Sequence, residues 1–147
     1  MLEFSSVKRA YLAGFLDGDG SIYVRAKPNA SYRYGYQVAP YIVLFQSAKG
    51  RKDFEVLCRH IGLGRLRERN DGVLEYTIGR IDSILTFLRL VKPHVILKKR
   101  QVVLMEKILE QKKKVTNITD FQKLLDLIQT FEQLNYSKRR KVRVLTP

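Results

Sequence analysis

The stretch Leu12-Ala13-Gly14-Phe15-Leu16-Asp17-Gly18-Asp19-Gly20 constrains this chain more than any other. Val7, Ala10, Tyr11, Leu12, Phe15 and Leu16 follow Ser5 and Ser6, either of which can cap a helix. Ala10, Gly14 and Gly18 recur every four residues, so one helix face carries almost no side chain and a second backbone can approach it. Leu12, Phe15 and Leu16 give the other side a bulky surface for a sheet. Two carboxylates separated by glycine end the helix, directly before a basic strand. A calcium loop is one alternative, because DGDGSI is similar to the middle of an EF-hand. Such a loop needs acidic ligands where this chain has Phe15 and Ala26, so that reading fails. An ordinary Asp-Gly turn explains the end of the helix but not the ribbed face ahead of it.

The length of 147 residues fits one domain, 1–147, with a basic tail from about residue 137 expected to be loose. A single cysteine removes the disulfide-stapled class, and with two histidines it is too little for structural zinc. No apolar run reaches the ~18–20 residues of a membrane span, and the N-terminal apolar stretch is cut by Asp17 too soon for a secretory signal. An intracellular protein is therefore expected. The 28 Lys plus Arg against 14 Asp plus Glu, a formal charge of +14, make nucleic acid the default partner ahead of an anionic membrane or an acidic protein. Acids are missing between Asp19 and Asp53 and between Asp82 and Glu106, both rich in Lys and Arg, whereas an ordinary surface mixes signs.

Beyond the first helix, SIYVRAK (21–27) alternates as a half-buried strand, 28–35 is a turn by composition, and 36–46 reads as a second strand that Pro40 marks as an edge or bulge. Residues 49–61 carry a helical stripe stopped by Gly62, and RLRER with GVLEYTIG forms a hairpin turned by Asn70, Asp71 and Gly72. Asp82 caps a helix through Val91, Arg100–Lys113 is another, and Thr119 or Thr116 begins a last one. The order is α+β, with a sheet of four mostly antiparallel strands.

LAGFLDGDG resembles the signature of the LAGLIDADG homing endonucleases. The likeness runs from about residue 7 to 135, including the SIYVRAK strand, the second strand to Gln46, and KPHVILKKRQ, and is nearest to the single-motif, homodimeric type. It implies the αββαββα homing-endonuclease fold, a curved four-stranded sheet with helices on one face and extra C-terminal helices. It further implies a pseudo-palindromic double-stranded DNA site, a homodimer, and hydrolysis of one phosphodiester in each strand. A single motif in the chain requires a two-fold partner. Ala10, Ala13, Gly14, Phe15, Asp17 and Gly18 would lie in the interface, with Asp17 structural at the helix end. Asp19 and the Gly18 carbonyl would hold a divalent metal. Mg²⁺ is the expected ion, with Mn²⁺ as a substitute and Ca²⁺ binding without supporting cleavage; hard oxygen ligands suit it. Gln46 would order water and Lys98 would stabilise developing charge or assist water activation.

A two-stranded ribbon fits a major groove. Tyr23, Arg25 and Lys27 share one face of the first strand, and Gln37, Ala39, Tyr41 and Val43 share one on the second. Asn29, Ser31, Tyr32 and Arg33 form the tip, and Arg67, Arg69, Glu75 and Thr77 extend the set. Lys99, with Lys138, Arg139 and Arg140 of the tail, would meet phosphates. Ala39, Val43 and Phe45 are poor hydrogen-bonding groups and suggest thymine-methyl contacts, sparse readout there, or a shifted register. The competing reading is a non-cleaving nucleic-acid binder on the same fold, such as an RNA-splicing maturase or a DNA-binding regulator. The joint presence of Asp19, Gln46 and Lys98 favours cleavage.

Overall fold

The structure is a computed structural model, which describes residues 3–135. Ser5 caps α1 (Ser6–Asp19), its side chain accepting from the Lys8 N–H at 3.2 Å. Strands β1 (Gly20–Pro28) and β2 (Tyr36–Ser47) follow. A short 3₁₀ turn (Ala48–Gly50) leads into α2 (Arg51–Ile61), which ends on Gly62 at φ +62°, a conformation that favours glycine. Strands β3 (Arg65–Glu68) and β4 (Val73–Ile78) make the second hairpin. The chain then runs through α3 (Ile81–Val91), α4 (Lys99–Lys114) and α5 (Ile118–Leu134).

The sheet order is β1-β2-β4-β3, and every neighbouring pair is antiparallel. Alternation puts Ile22, Val24, Ile42, Leu44, Leu74, Tyr76 and Ile78 on one buried face, where Leu12 and Leu16 of α1 and the apolar stripes of the later helices close the core. Pro40 lies past Ile42, the last β2 residue that β4 pairs, so one flank of the strand has no partner there and the missing N–H is tolerated. The buried Tyr76 hydroxyl accepts from the Leu63 and Gly64 N–H groups at 2.8 and 2.7 Å, fastening the α2–β3 connection. Asn135, just past α5, donates to the Ile22 carbonyl at 3.1 Å, so the C-terminal end of that helix is tied to β1.

Two helix starts differ from expectation. α3 begins after Arg80, with Asp82 inside its first turn, where the carboxylate faces the positive end of the helix dipole. α5 is capped by Asn117, which accepts from the Asp120 N–H at 2.8 Å, rather than by Thr116 or Thr119. Asn and Thr are both good caps, and composition alone does not choose between neighbours.

Candidate active site and nucleic-acid interface

α1 runs directly into β1, so its last residues sit at one end of the sheet. Gly20 makes the junction: its N–H bonds the Leu16 carbonyl, and a Cβ added there would come within 2.7–2.9 Å of Leu16 atoms. The Asp17 carboxylate turns back into the chain and accepts from the N–H groups of Ile96, Leu97 and Lys98 at 2.8, 3.0 and 3.0 Å. The Lys98 ammonium in turn donates to the Asp17 carbonyl at 2.9 Å. Lys98 is 9% exposed. Burial lowers its pKa from the ordinary lysine value, and the charges of Asp17 and Asp19 oppose that shift. Asp19 is exposed. With the Leu16 carbonyl taken by Gly20 and the Asp17 carbonyl by Lys98, the Gly18 carbonyl comes next, beyond the last intrahelical donor. Gly20 pairs with Leu44, so Asp19 and Gln46 emerge at the same end of the β1–β2 ribbon. The Gln46 Oε1 accepts from the Ser47 N–H at 2.9 Å, which folds that side chain over its own strand end.

No cluster of three or more His, Cys, Asp and Glu that could hold a metal ion exists among the described residues. One exposed carboxylate beside one carbonyl suits a hard ion that keeps most of its waters and takes one or two carboxylates from protein.

The side chains expected to read DNA fall on one face of the sheet. Tyr23, Arg25 and Lys27 of β1 lie opposite Tyr41, Ala39 and Gln37 of β2, and β4 adds Thr77 and Glu75 opposite Val43 and Phe45. The rings of Tyr23 and Tyr41 sit 5.2 Å apart, the Arg25 guanidinium lies 5.4 Å from the Tyr23 ring, and Lys27 donates to the Tyr41 hydroxyl at 2.9 Å. Ala39 and Val43 do lie on this face but are 8% and 1% exposed. They form its floor, because β2 is an interior strand flanked by longer side chains, which matches sparse readout along it. Glu75 holds Arg67 at 2.7 Å, and Asp71 holds Arg69 at 2.5 Å, so three of the four hairpin groups, Arg67, Arg69 and Glu75, are oriented by ion pairs. Arg65, opposite Thr77 and exposed, belongs to the same face. The alternation in RLRER carried that signal. At the tip, Asn29 Oδ1 accepts from the Ser31 N–H and hydroxyl at 3.0 and 2.6 Å, shaping the turn that presents Tyr32 and Arg33. Lys99 opens α4 and is exposed; Lys138, Arg139 and Arg140 lie outside the described residues.

Residues 12–102 match the LAGLIDADG endonuclease family. The DNA endonuclease I-CreI of Chlamydomonas reinhardtii is 36% identical over 132 residues, 89% of this chain and 80% of that protein. The chain belongs to the LAGLIDADG endonuclease family. A second member, the DNA endonuclease I-CvuI of Chlorella vulgaris, is 33% identical over 114 residues, 78% of this chain and 69% of that protein. A crystal structure of I-CvuI in complex with the I-CreI target, with Mg²⁺ present and the DNA not cleaved, superposes with a TM-score of 0.82 at 28% identity, over 88% of this chain and 83% of that one. The expected αββαββα order with extra C-terminal helices is thus the fold observed.

The residues of α1 differ in exposure. Ala10, Gly14 and Gly18 are exposed, and a Cβ added at Gly14 or Gly18 would meet nothing within 4 Å. Val7 and Tyr11 beside them are 79% and 59% exposed. Ala13, however, is 0% exposed and faces the chain's own core. That corrects its place in the interface: it lies one residue off the four-residue rib, about 100° round the helix from Gly14. Phe15 is partly buried, stacked on Phe54 at 5.8 Å, and the Asp17 carboxylate serves the 96–98 segment. The Asp17 partner was invisible in the sequence, since the two segments lie about 80 residues apart.

Proposed function

We propose that this chain is a site-specific homing endonuclease that binds a long pseudo-palindromic DNA duplex as a homodimer and cuts one phosphodiester in each strand. One observation carries the reading. The α1 face of Ala10, Gly14 and Gly18 is open, apolar and unpartnered among the described residues, and it leads straight to an exposed Asp19. Back-to-back contact of two such faces brings two Asp19 carboxylates together, one for each strand. Asp19 and the Gly18 carbonyl would hold the ion, Mg²⁺ by preference, with Mn²⁺ substituting and Ca²⁺ binding without cleavage. When bound, the ion supplies Lewis-acid stabilisation and a more acidic water. Lys98, fixed by the Asp17 carbonyl, sets positive charge beside the site, and Gln46 holds water there. The face of Tyr23, Arg25, Lys27, Gln37 and Tyr41, with Arg65, Arg67 and Thr77, lies along the groove. A strand rises ~3.3 Å per residue, close to the duplex rise, so β1 spans about nine base pairs and a dimer a site approaching twenty. Such an enzyme acts wherever its host genome lies; among the described residues no helix is long and apolar enough to cross a membrane.

The test is selection of cleaved duplexes from a random library with Mg²⁺ present. Enrichment of a two-fold symmetric site cut in both strands is expected. Recovery of bound but uncut DNA would instead favour the non-cleaving reading, and an asymmetric site would remove the homodimer.

A further inference from the structure

The geometry points to a second nucleic-acid site, on the helix-bearing side of the ribbon tip, that takes an unpaired nucleotide. A cleft of about 410 Å³ lies where residues 32–38 meet the α4–α5 junction, a volume in the range of small-ligand sites. Tyr32, Tyr34, Tyr36 and Phe121 line it, with Arg33 and Lys112. Tyr34 stacks on Phe121 at 5.0 Å, and the Arg33 guanidinium lies 5.4 Å from the Tyr34 ring. Tyr32 and Tyr36 remain 45% and 38% exposed, so their rings are available to a planar ligand. The Tyr34 hydroxyl is buried and has no hydrogen-bond partner among the described residues, a state that ordinarily calls for a ligand or water.

Each class of group narrows the occupant. Four aromatic rings ask for a flat π-surface, which inorganic phosphate lacks. Arg33 and Lys112, continued by exposed Lys113 and Lys114, ask for negative charge, which an apolar peptide lacks. A nucleotide has both, and base stacking on aromatic side chains beside a basic track is the way single strands are held. Val38, Val115 and Leu124, which floor the cleft, lie on the other side of the sheet from Tyr23 and Tyr41, while Tyr32, Arg33 and Gln37 form the rim that it shares with the reading ribbon. The occupant is therefore a nucleotide outside the duplex stack.

Fluorescent decathymidylate and decauridylate, each titrated in EDTA with anisotropy as the readout, test this and separate a DNA from an RNA source. Binding of either is expected, and binding of neither overturns the proposal. Tyr34→Phe, which deletes only the unpartnered hydroxyl, should weaken that binding about three- to tenfold without lowering the melting temperature. Lys112→Gln should flatten the slope of log K against log salt by about 0.7. Neither change should alter cleavage of a duplex recovered by selection. Unchanged oligonucleotide binding in both variants would overturn the assignment. So would displacement of the oligonucleotide by excess random-sequence duplex, because it would place the strand on the reading face.

Discussion

One glycine separates Asp17 from Asp19, and the two carboxylates stand in different surroundings. Asp19 is exposed at the end of α1, while Asp17 accepts from three backbone N–H groups of its own chain. Asp19→Asn should therefore remove several kcal/mol of transition-state stabilisation, about 10³-fold or more in cleavage rate, while duplex binding in a gel-shift stays near the parent value. Persistent cleavage would take Asp19 out of its role. Asp17→Asn should act on stability, because the Asn side chain turns a charged acceptor into a neutral one against the same amides. A loss of about 1–3 kcal/mol, read as a melting point lower by several degrees, is expected. Tyr34→Phe has the opposite sign: deleting a buried hydroxyl without a partner should stabilise the free chain by about 1 kcal/mol. Cys58 gives a pH dependence. Burial pushes its thiol up from 9.0 to about 11, so the folded chain keeps a proton that the unfolded chain releases first. The resulting stability is intact below pH 9 and is lost as pH rises through about 11, by up to about 2–3 kcal/mol. Burial also raises Tyr76, which acts in the same direction from about pH 10. Alkaline denaturation of Cys58→Ala should show a flatter decline between pH 9 and 11 than the parent.

At the scale of elements, local pattern was readable wherever one residue's neighbours in sequence decide its environment. The α1 stripe, the β1 alternation and the Asn70-Asp71-Gly72 turn are all set by spacing, and all fall where expected. The carboxylate-ended first helix and the basic alternation of β1 were legible for the same reason, whereas Lys98 was singled out only by the family resemblance. Distance along the chain hid the rest. The clamp between Asp17 and the 96–98 amides joins α1 to the start of α4 across about 80 residues. The burial of Ala39 and Val43 depends on β2 lying between β1 and β4, which strand composition does not state. Ala13 turned inward because a one-residue step on a helix changes the face completely. The junction of α1 and β1 supplies an element-scale expectation. Gly20→Ala puts a Cβ within 2.9 Å of the Leu16 backbone, so it should destabilise the helix-to-strand turn by about 1–3 kcal/mol in chemical denaturation. Denaturation unchanged from the parent would show that the junction relaxes freely.

For the whole molecule, the contrast between Gly14 and Gly20 separates folding from assembly. A Cβ at Gly14 meets nothing within 4 Å among the described residues, so Gly14→Leu should leave the monomer folded, and even favour its helix by about 1 kcal/mol. The same leucine would hold two α1 faces apart, and sedimentation should then report a monomer at concentrations where the parent is dimeric. The net charge of +14 on a chain of this length predicts a steep salt dependence for duplex binding. Everything about cleavage of both strands rests on two chains meeting over one duplex. The most direct check is native mass spectrometry of the protein with a duplex that it cleaves, held in EDTA. Two chains per duplex are expected for the parent, and no two-chain complex for Gly14→Leu; one chain per duplex from a protein that still cuts both strands would contradict the two-fold site.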